Sequence, residues 1–195
     1  VEKFLLDDGF LNALSEIHLM ARHRPLSVAS YISLPRSSEV VSALRLYLCN
    51  QSASECHQVC SRRRSPHQNC SLVNHLKDRD LFEHLLKPGE RSALFLSQSD
   101  VVEKYPDDQK IFFFYLNTGE EISRIEVPQW VASDESLISL THSLIMDQCS
   151  RGLGYPVAIS EAHEQAVING SDRQRFNEIL DLLLVREARI ESSSA

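Results

Sequence analysis

Residues 110–128 have the sequence KIFFFYLNTGEEISRIEVP. Two runs rich in β-branched and aromatic residues flank Asn117-Thr118-Gly119, and this combination predicts a β-hairpin. The run IFFFYL at 111–116 is the longest apolar stretch in the chain. It is far shorter than the roughly 18 residues that a membrane-spanning helix needs, so we expect a protein without a membrane segment.

Strand and helix patterns alternate on both sides of this hairpin. The alternation predicts an α/β layer fold. The predicted strands cover 4–9, closed by an Asp-Gly turn, 26–33 and 91–99. The predicted helices cover 11–23, 37–49 and 72–86, a segment capped by Ser133, a segment entered through Pro156, and a last one from Ser171.

Composition limits the classes of function. A chain of 195 residues with 43% hydrophobic content can bury one sizeable core. Its net charge of −7 argues against a generally basic nucleic-acid surface, but it leaves room for a site built from carboxylates and a metal. Five cysteines without a secretion signal favour thiols or metal ligands in a reducing compartment, so we expect a cytoplasmic protein.

The start of the sequence is unusual for a folded chain. Val1 is not preceded by Met, and by Phe4 the sequence is already in an apolar run that resembles the end of a strand. We therefore expect a fragment that lacks N-terminal elements.

The segment from Gly154 to Ile168 places His163 on an otherwise apolar helical stripe of Ile159, Ala162, Ala166 and Val167. If that stripe faces inward, the imidazole needs a partner, because an unpaired buried polar group costs about 1 to 3 kcal/mol. A core histidine bonded to a carbonyl and a ligand-binding histidine both satisfy this condition. Tyr155 precedes the helix in a Gly-Tyr-Pro loop, where it either packs or faces the same cavity as His163.

Asp7 and Asp8 follow the first predicted strand, at the sheet edge where α/β proteins place ligands. Adjacent strand residues point to opposite faces, so only one of the two can enter a given site. We favour Asp8, which borders Gly9, although an ordinary Asp-Gly turn explains the pattern too. Carboxylate oxygens are ligands for Mg²⁺ or Mn²⁺.

Four segments in order carry a resemblance. They are LLDDGFL, SVASYISLPRSSEVVSALRLYLC, FFFYLNTGEEISRIEVPQW and GLGYPVAISEAHEQAVINGSDR. In this order they resemble the NurA family of DNA nucleases. The last segment is the specific one, because it has tyrosine-proline followed by alanine-histidine-glutamate at the family's spacing.

The resemblance implies that residues 1–195 form one NurA-like domain with an RNase H-like mixed sheet flanked by helices. It implies a usually dimeric nuclease that cuts DNA with Mn²⁺, or Mg²⁺, in end resection and double-strand break repair, beside a HerA-like hexameric ATPase. By position in the motifs, Asp8 corresponds to a metal aspartate, Tyr155 to the active-site tyrosine and His163 to the active-site histidine. The family's first aspartate and its glutamate have no counterpart here, and Phe10 stands where a small hydroxyl residue is usual.

Residues 50–70 have no period and form a predicted Cys-rich insertion. The thiols there are separated by six, three and nine residues: Cys49, Cys56, Cys60 and Cys70. Four thiolates in a short loop can bind Zn²⁺ or an iron-sulfur cluster, and free thiols are the alternative. Cys149 lies alone on an apolar helix, where packing is the simpler role.

Arginines supply candidate phosphate contacts. Arg62, Arg63 and Arg64 in the insertion either bind DNA backbone or form a solvated charge run. Arg36, in the turn between a strand and a helix, is the better candidate. Arg124 and Glu126 are two residues apart on one strand, which indicates a structural pair.

Two functions of different classes follow from the sequence. The first is a metal-dependent DNA nuclease with Asp8, Tyr155 and His163 in its cleft. The second is a noncatalytic α/β interaction module that binds an ATPase or nucleic acid through its Cys-rich, metal-binding loop.

Overall fold

The computed structural model describes residues 9–49, 73, 75–167 and 170–180 of the chain. The predicted first strand, with Asp7 and Asp8, lies outside these residues. So do Cys56, Cys60, Cys70 and the three arginines of the predicted insertion. In chain order the helices are α1 (Leu11–Ala21), α2 (Glu39–Cys49), α3 (Asp78–Leu85), α4 (Gln129–Ala132), α5 (Glu135–Arg151) and α6 (Val157–Ala166). Residues 170–180 are also helical.

The hairpin at 110–128 is confirmed and forms the centre of a sheet that has four strands within the described residues. The strands are β1 (Ser30–Ile32), β2 (Phe95–Leu96), β3 (Ile111–Asn117) and β4 (Ile122–Pro128), in the order β1-β4-β3-β2. Every pairing among these four strands is antiparallel, with Tyr31 opposite Ile125 and Phe114 opposite Ile125 on its other side. At the turn Gly119 adopts a φ of 99°, a conformation that glycine tolerates best.

Both faces of the hairpin are covered. On one face Phe114, Leu116, Ile125 and Val127 pack with Val131 of α4 and Ile138 of α5. On the other face Phe113, Tyr115 and Ile122 pack with Phe82 of α3 and, at the margin, Val40 of α2. This arrangement explains why IFFFYL is continuously apolar instead of alternating, since each successive side chain enters one of two cores. The described chain therefore has a mixed α/β architecture with helices on both sides of an antiparallel sheet.

The outer strands are much shorter than the sequence predicts. The predicted strand at 26–33 is paired only over Ser30–Ile32, and that at 91–99 only over Phe95–Leu96, with one more bridge from Arg91 to Leu116. Among the described residues each of these strands has a neighbour on one side only. Apolar composition alone predicts a strand but not how much of it finds a partner.

Helix starts depend on polar contacts that the sequence indicates only in part. The predicted cap Ser133 is wrong: Asp134 occupies that position, and its carboxylate accepts hydrogen bonds from the backbone N–H groups of Ser136 and Leu137. These bonds, the side-chain bond from Ser136 first, hold the pKa of the Asp134 carboxyl below its usual range. For α3, the described part of the predicted 72–86 segment is helical from Asp78 to Leu85.

A buried polar cluster fastens α2 and α3 to the second face of the sheet. Asp78 is fully buried and accepts hydrogen bonds from the Val41 N–H at 2.8 Å, the Val40 N–H at 3.2 Å, the Ser37 hydroxyl at 3.1 Å and the Tyr115 hydroxyl at 2.8 Å. Because Val40 and Val41 are in the first turn of α2, this carboxylate caps a helix to which it does not belong.

Arg124 extends the polar cluster across the sheet. Its guanidinium donates to Glu126 at 2.8 Å and to Glu39 at 2.7 Å, and it lies 3.6 Å from the centre of the Phe113 ring. Burial lowers the pKa of Arg124, but the hydrogen bond to Glu39 and the charges of Glu126 and Glu39 outweigh burial, so the pKa is raised. The predicted structural pair of Arg124 and Glu126 is confirmed, and within this chain it also binds α2.

Two further expectations concern α5 and the membrane. Cys149 is 1% exposed and packs in the protein interior, as its position on an apolar helix predicts. No helix among the described residues combines the length and the apolar character needed to cross a bilayer.

Candidate active site

The turn that leads from α5 to α6 determines the position of Tyr155. The Gly154 N–H donates to the carbonyl of Cys149 at 2.9 Å, and the Tyr155 N–H donates to the carbonyl of Gly152 at 3.2 Å. Leu153 and Gly154 both have positive φ, 54° and 98°. A Cβ atom on Gly152 would overlap the Tyr155 carbonyl oxygen, and one on Gly154 would overlap the side chain of Glu120. The lack of a Cβ at both glycines therefore lets the loop close on Tyr155 and brings Gly154 against Glu120 of the β3–β4 turn.

Replacement of Gly154 by alanine tests this close packing, and Gly119→Ala is its matched control. The two glycines have nearly the same φ, 98° and 99°, but a Cβ on Gly119 meets nothing within 4 Å. Both variants pay about 1 to 2 kcal/mol for left-handed backbone strain. Only Gly154→Ala also displaces Glu120, so we expect thermal unfolding to show a melting temperature lower than that of Gly119→Ala by about 4 °C or more. Equal melting temperatures would contradict the packing of the turn.

Tyr155 is held from the sheet side by Tyr31 of β1. The two rings are 5.5 Å apart at 86°, an edge-to-face contact of the kind that aromatic pairs favour. Tyr31 in turn donates a hydrogen bond to Glu121 at 2.6 Å. Among the described residues the Tyr155 hydroxyl has no hydrogen-bond partner, so its polar group is free to meet a ligand.

Two titratable groups lie behind Tyr155, the Tyr31 phenol and the Cys149 thiol, and both stay uncharged. Burial, together with the hydrogen bond to Glu121, raises the pKa of Tyr31 well above its ordinary range, so its phenol remains a donor at neutral pH. Burial also raises the pKa of the Cys149 thiol, which lies beside Tyr31. The interior side of the site therefore has a neutral phenol and a neutral thiol.

The expectation that α6 buries an apolar stripe is wrong within the described residues. No residue of α6 is buried, Ile159 is 38% exposed and Val167 beyond its end 55%, and His163 is exposed as well. The helix attaches through its first turn, where the Ala158 N–H donates to the Gln148 side chain of α5 at 3.0 Å. His163 therefore needs no buried partner, and the argument from a buried imidazole does not apply to it.

An apolar cleft connects the helix that carries His163 to Tyr31. It has a volume of about 150 Å³ and is lined by Tyr31, Ile145 of α5, and Pro156 and Ile159 at the start of α6. His163 follows Ile159 by four residues, so it lies on the same helical face, one turn further from the sheet. Tyr155 and His163 thus belong to one loop-helix unit, whose Pro156 and Ile159 line the cleft although Tyr155 and His163 themselves do not.

Among the other predicted site residues, the structure describes Arg36 and the backbone of Cys49. Arg36 is exposed in the turn after β1, two residues from Leu34, whose N–H donates to Glu121 at 3.2 Å. Asp8 lies outside the described residues, and of Cys49 only the backbone, at the end of α2, is described. Within the part of the chain that the structure describes, no group of three or more His, Cys, Asp or Glu side chains is arranged to hold a metal ion.

Two residues of this region are not predicted from the sequence. Tyr31 appears there only as part of a buried strand, and Glu121 only as part of a hairpin turn. Their proximity depends on the pairing of β1 with β4, which joins residues about ninety positions apart in the chain. No local pattern indicates such a pairing.

The fold and this loop-helix unit define an α/β protein with a tyrosine and an exposed histidine on one loop and helix beside an apolar cleft. The model of the NurA domain family matches residues 11–168, a range that contains Tyr155 and His163 and begins after Asp8. The chain belongs to the NurA family, and its role is nuclease-related. No curated protein and no solved structure matches the chain.

Proposed function

We propose that this chain is part of a Mn²⁺-dependent DNA nuclease that hydrolyses phosphodiester bonds in end resection and double-strand break repair, on an RNase H-like fold. The NurA match across Tyr155 and His163 carries the proposal. The position of Tyr155 supports it, because a ring fixed by Tyr31 and by a two-glycine turn presents a hydroxyl without a partner among the described residues.

The two side chains have separate roles in this proposal. The Tyr155 hydroxyl donates a hydrogen bond to a non-bridging phosphate oxygen and orients the scissile group. The exposed imidazole of His163 exchanges a proton with the reacting phosphate or its leaving oxygen. Arg36 contacts the DNA backbone beside them, and such contacts fix register instead of sequence.

Among the described residues, no group of three or more potential ligands is arranged to hold a metal ion. The proposed metal dependence therefore rests on Asp8 and on residues outside the described ranges. A divalent cation in such enzymes neutralises charge on the phosphate and acidifies the attacking water. No step assigned to Tyr155 or His163 requires a particular metal geometry.

The assembly is proposed on the same grounds. We place the protein in the cytoplasm as a homodimer that acts with a HerA-like hexameric ATPase. Cys49, Cys56, Cys60 and Cys70 are proposed to bind Zn²⁺ or an iron-sulfur cluster, and Arg62, Arg63 and Arg64 to contact DNA beside that cluster. Metal analysis of the purified protein by mass spectrometry, before and after cysteine substitution, tests the cluster.

The test of the function is degradation of 5′- and 3′-labelled single-stranded DNA by the full-length protein. We expect cleavage with Mn²⁺, none with excess EDTA, and a rate at least about 100-fold lower in Asp8→Ala and His163→Ala. His23→Ala is the matched control, because His23 is likewise exposed and follows a different helix, α1. We expect this control to cleave at the wild-type rate.

Two outcomes oppose the proposal in different ways. Wild-type rates in both Asp8→Ala and His163→Ala would remove these residues from the mechanism. DNA binding without cleavage under any divalent metal would favour the noncatalytic interaction module.

A further inference from the structure

Glu121 lies at the end of the β3–β4 turn, and both oxygens of its carboxylate are occupied. One oxygen accepts the Tyr31 hydroxyl at 2.6 Å. The other accepts the Ser33 hydroxyl at 2.7 Å and the Leu34 N–H at 3.2 Å. One side chain therefore binds three residues at the end of β1 and in the turn after it, each about ninety positions away in sequence.

The first oxygen acts on Tyr155 through Tyr31. The Tyr31 ring meets the Tyr155 ring edge-to-face at 5.5 Å, so the orientation of one phenol limits that of the other. Glu121 accepts the hydrogen bond of the Tyr31 hydroxyl, and burial raises the pKa of that hydroxyl, which stays protonated. Loss of the carboxylate would leave the Tyr31 ring packed against the core around Phe114 and Ile125 but without the bond that fixes its hydroxyl end, so its contact with Tyr155 would loosen.

The second oxygen acts on the turn that carries Arg36. Leu34 has a φ of 46°, an unusual value for a residue with a Cβ, and its side chain is 59% exposed and so is not held by packing. Such a conformation is strained for a residue with a Cβ and persists only where surrounding contacts enforce it. The bonds from Ser33 and Leu34 to Glu121 supply that enforcement, and Arg36 follows two residues later.

Glu121 also borders an acidic cleft of about 180 Å³ with Asp80, Glu83 and Glu120. A cluster of carboxylates invites a metal-binding interpretation. Two observations oppose it for Glu121: both of its oxygens already accept hydrogen bonds, and no group in the described chain is arranged to hold a metal ion. The geometry is that of a positioning residue, one that acts through the side chains it binds.

Building on the proposed nuclease function, we propose that Glu121 is a positioning residue with two separable effects on DNA cleavage. Through Tyr31 it fixes Tyr155 for the chemical step. Through Ser33 and Leu34 it fixes the turn that presents Arg36 to the DNA backbone.

Single substitutions can remove the two effects of Glu121 separately. Tyr31→Phe keeps the ring but removes its bond to Glu121, so we expect kcat for single-stranded DNA to fall about 10-fold with KM within about 2-fold of wild type. Ser33→Ala weakens only the Arg36 turn, so we expect KM to rise about 3-fold with kcat unchanged. Glu121→Ala removes both effects and is expected to show both the fall in kcat and the rise in KM.

Conservative replacement and a capping variant separate positioning from a general loss of stability. In Glu121→Gln the amide N–H₂ can face the Tyr31 oxygen while the amide oxygen accepts from Ser33 and Leu34, so we expect at least half of wild-type kcat. Asp134→Ala removes a carboxylate that accepts two backbone N–H groups at the start of α5, at the opposite end of that helix from Gly152. Its melting temperature should fall while kcat and KM stay at wild-type values.

A spectroscopic measurement tests positioning without any catalysis. In protein labelled with 3-fluorotyrosine, the ¹⁹F resonance of Tyr155, identified by its absence in Tyr155→Phe, is shifted from the free amino acid by the edge-to-face Tyr31 ring. We expect this resonance to move towards the free position in Glu121→Ala and to keep its place in Asp134→Ala. If Glu121→Ala folds too poorly to measure, Tyr31→Phe, which keeps the ring but loses the bond to Glu121, must give the same movement.

The failure of each proposal has its own signature. An inactive wild type with a Glu121-dependent Tyr155 resonance would overturn the nuclease function but retain the positioning contact. An active wild type that loses activity in His163→Ala, but shows neither the kcat and KM split nor the resonance shift, would overturn the role of Glu121.

Discussion

Replacement of Asp78 by alanine is expected to lower the free energy of unfolding by about 4 kcal/mol, the largest stability effect that the described structure predicts. The carboxylate is fully buried and accepts four hydrogen bonds, two of them from backbone N–H groups at the first turn of α2. Alanine leaves the two backbone N–H groups without this acceptor, while the Tyr115 hydroxyl keeps its contact with the Ser37 hydroxyl at 2.6 Å. Unfolding in urea, monitored by circular dichroism, measures the change.

Two milder variants test whether the loss in free energy of unfolding depends on how many hydrogen-bond donors are left without an acceptor. Tyr115→Phe removes one donor of the cluster and leaves the carboxylate bonded to the others, so about 1 kcal/mol is expected. Asp78→Asn keeps an acceptor for the Val41 N–H and lets the Ser37 and Tyr115 hydroxyls accept from the amide, so an intermediate loss of about 2 kcal/mol is expected. A loss below about 1 kcal/mol in Asp78→Ala would mean that water replaces the carboxylate at these donors.

The parts of the fold that local sequence could predict are those stabilised by local contacts. The turn residues of the hairpin around Asn117-Thr118-Gly119 are visible within that segment itself. The same is true of the apolar spacing of helices α1, α2 and α5. The lengths of β1 and β2 depend on partners far along the chain, so composition overestimates both. Asp78 was not predicted as a cap for α2 because the residues that it binds are about forty positions earlier.

The candidate site was predictable only where a motif marks it. Tyr155 and His163 were selected by their resemblance to the NurA family, and both lie within the range that the family model matches. The independent argument from helical spacing was wrong for His163, because an apolar stripe indicates a face that can be buried but not whether a partner covers it. Tyr31 and Glu121 carry no motif, and only the pairing of β1 with β4 brings them to the site.

Tyr155 offers the sharpest test of chemistry because its ring and its hydroxyl have different surroundings. The ring packs against Tyr31, whereas the hydroxyl has no partner among the described residues. Tyr155→Phe therefore removes no contact that stabilises the described fold, and its melting temperature should equal that of wild type. Any loss of activity in this variant then reports on the hydroxyl and not on folding.

We expect Tyr155→Phe to lower kcat for single-stranded DNA about 100-fold with little change in KM, because the lost hydrogen bond acts on the phosphate mainly in the transition state. Tyr155→Leu, which also removes the aromatic ring, should be no slower than Tyr155→Phe by more than about 3-fold if the hydroxyl carries the effect. The alternative role of stacking on a base predicts the opposite order, since Phe stacks as well as Tyr and Leu does not. Wild-type kcat in Tyr155→Phe combined with a large loss in Tyr155→Leu would therefore transfer the function of this residue from the phosphate to the base.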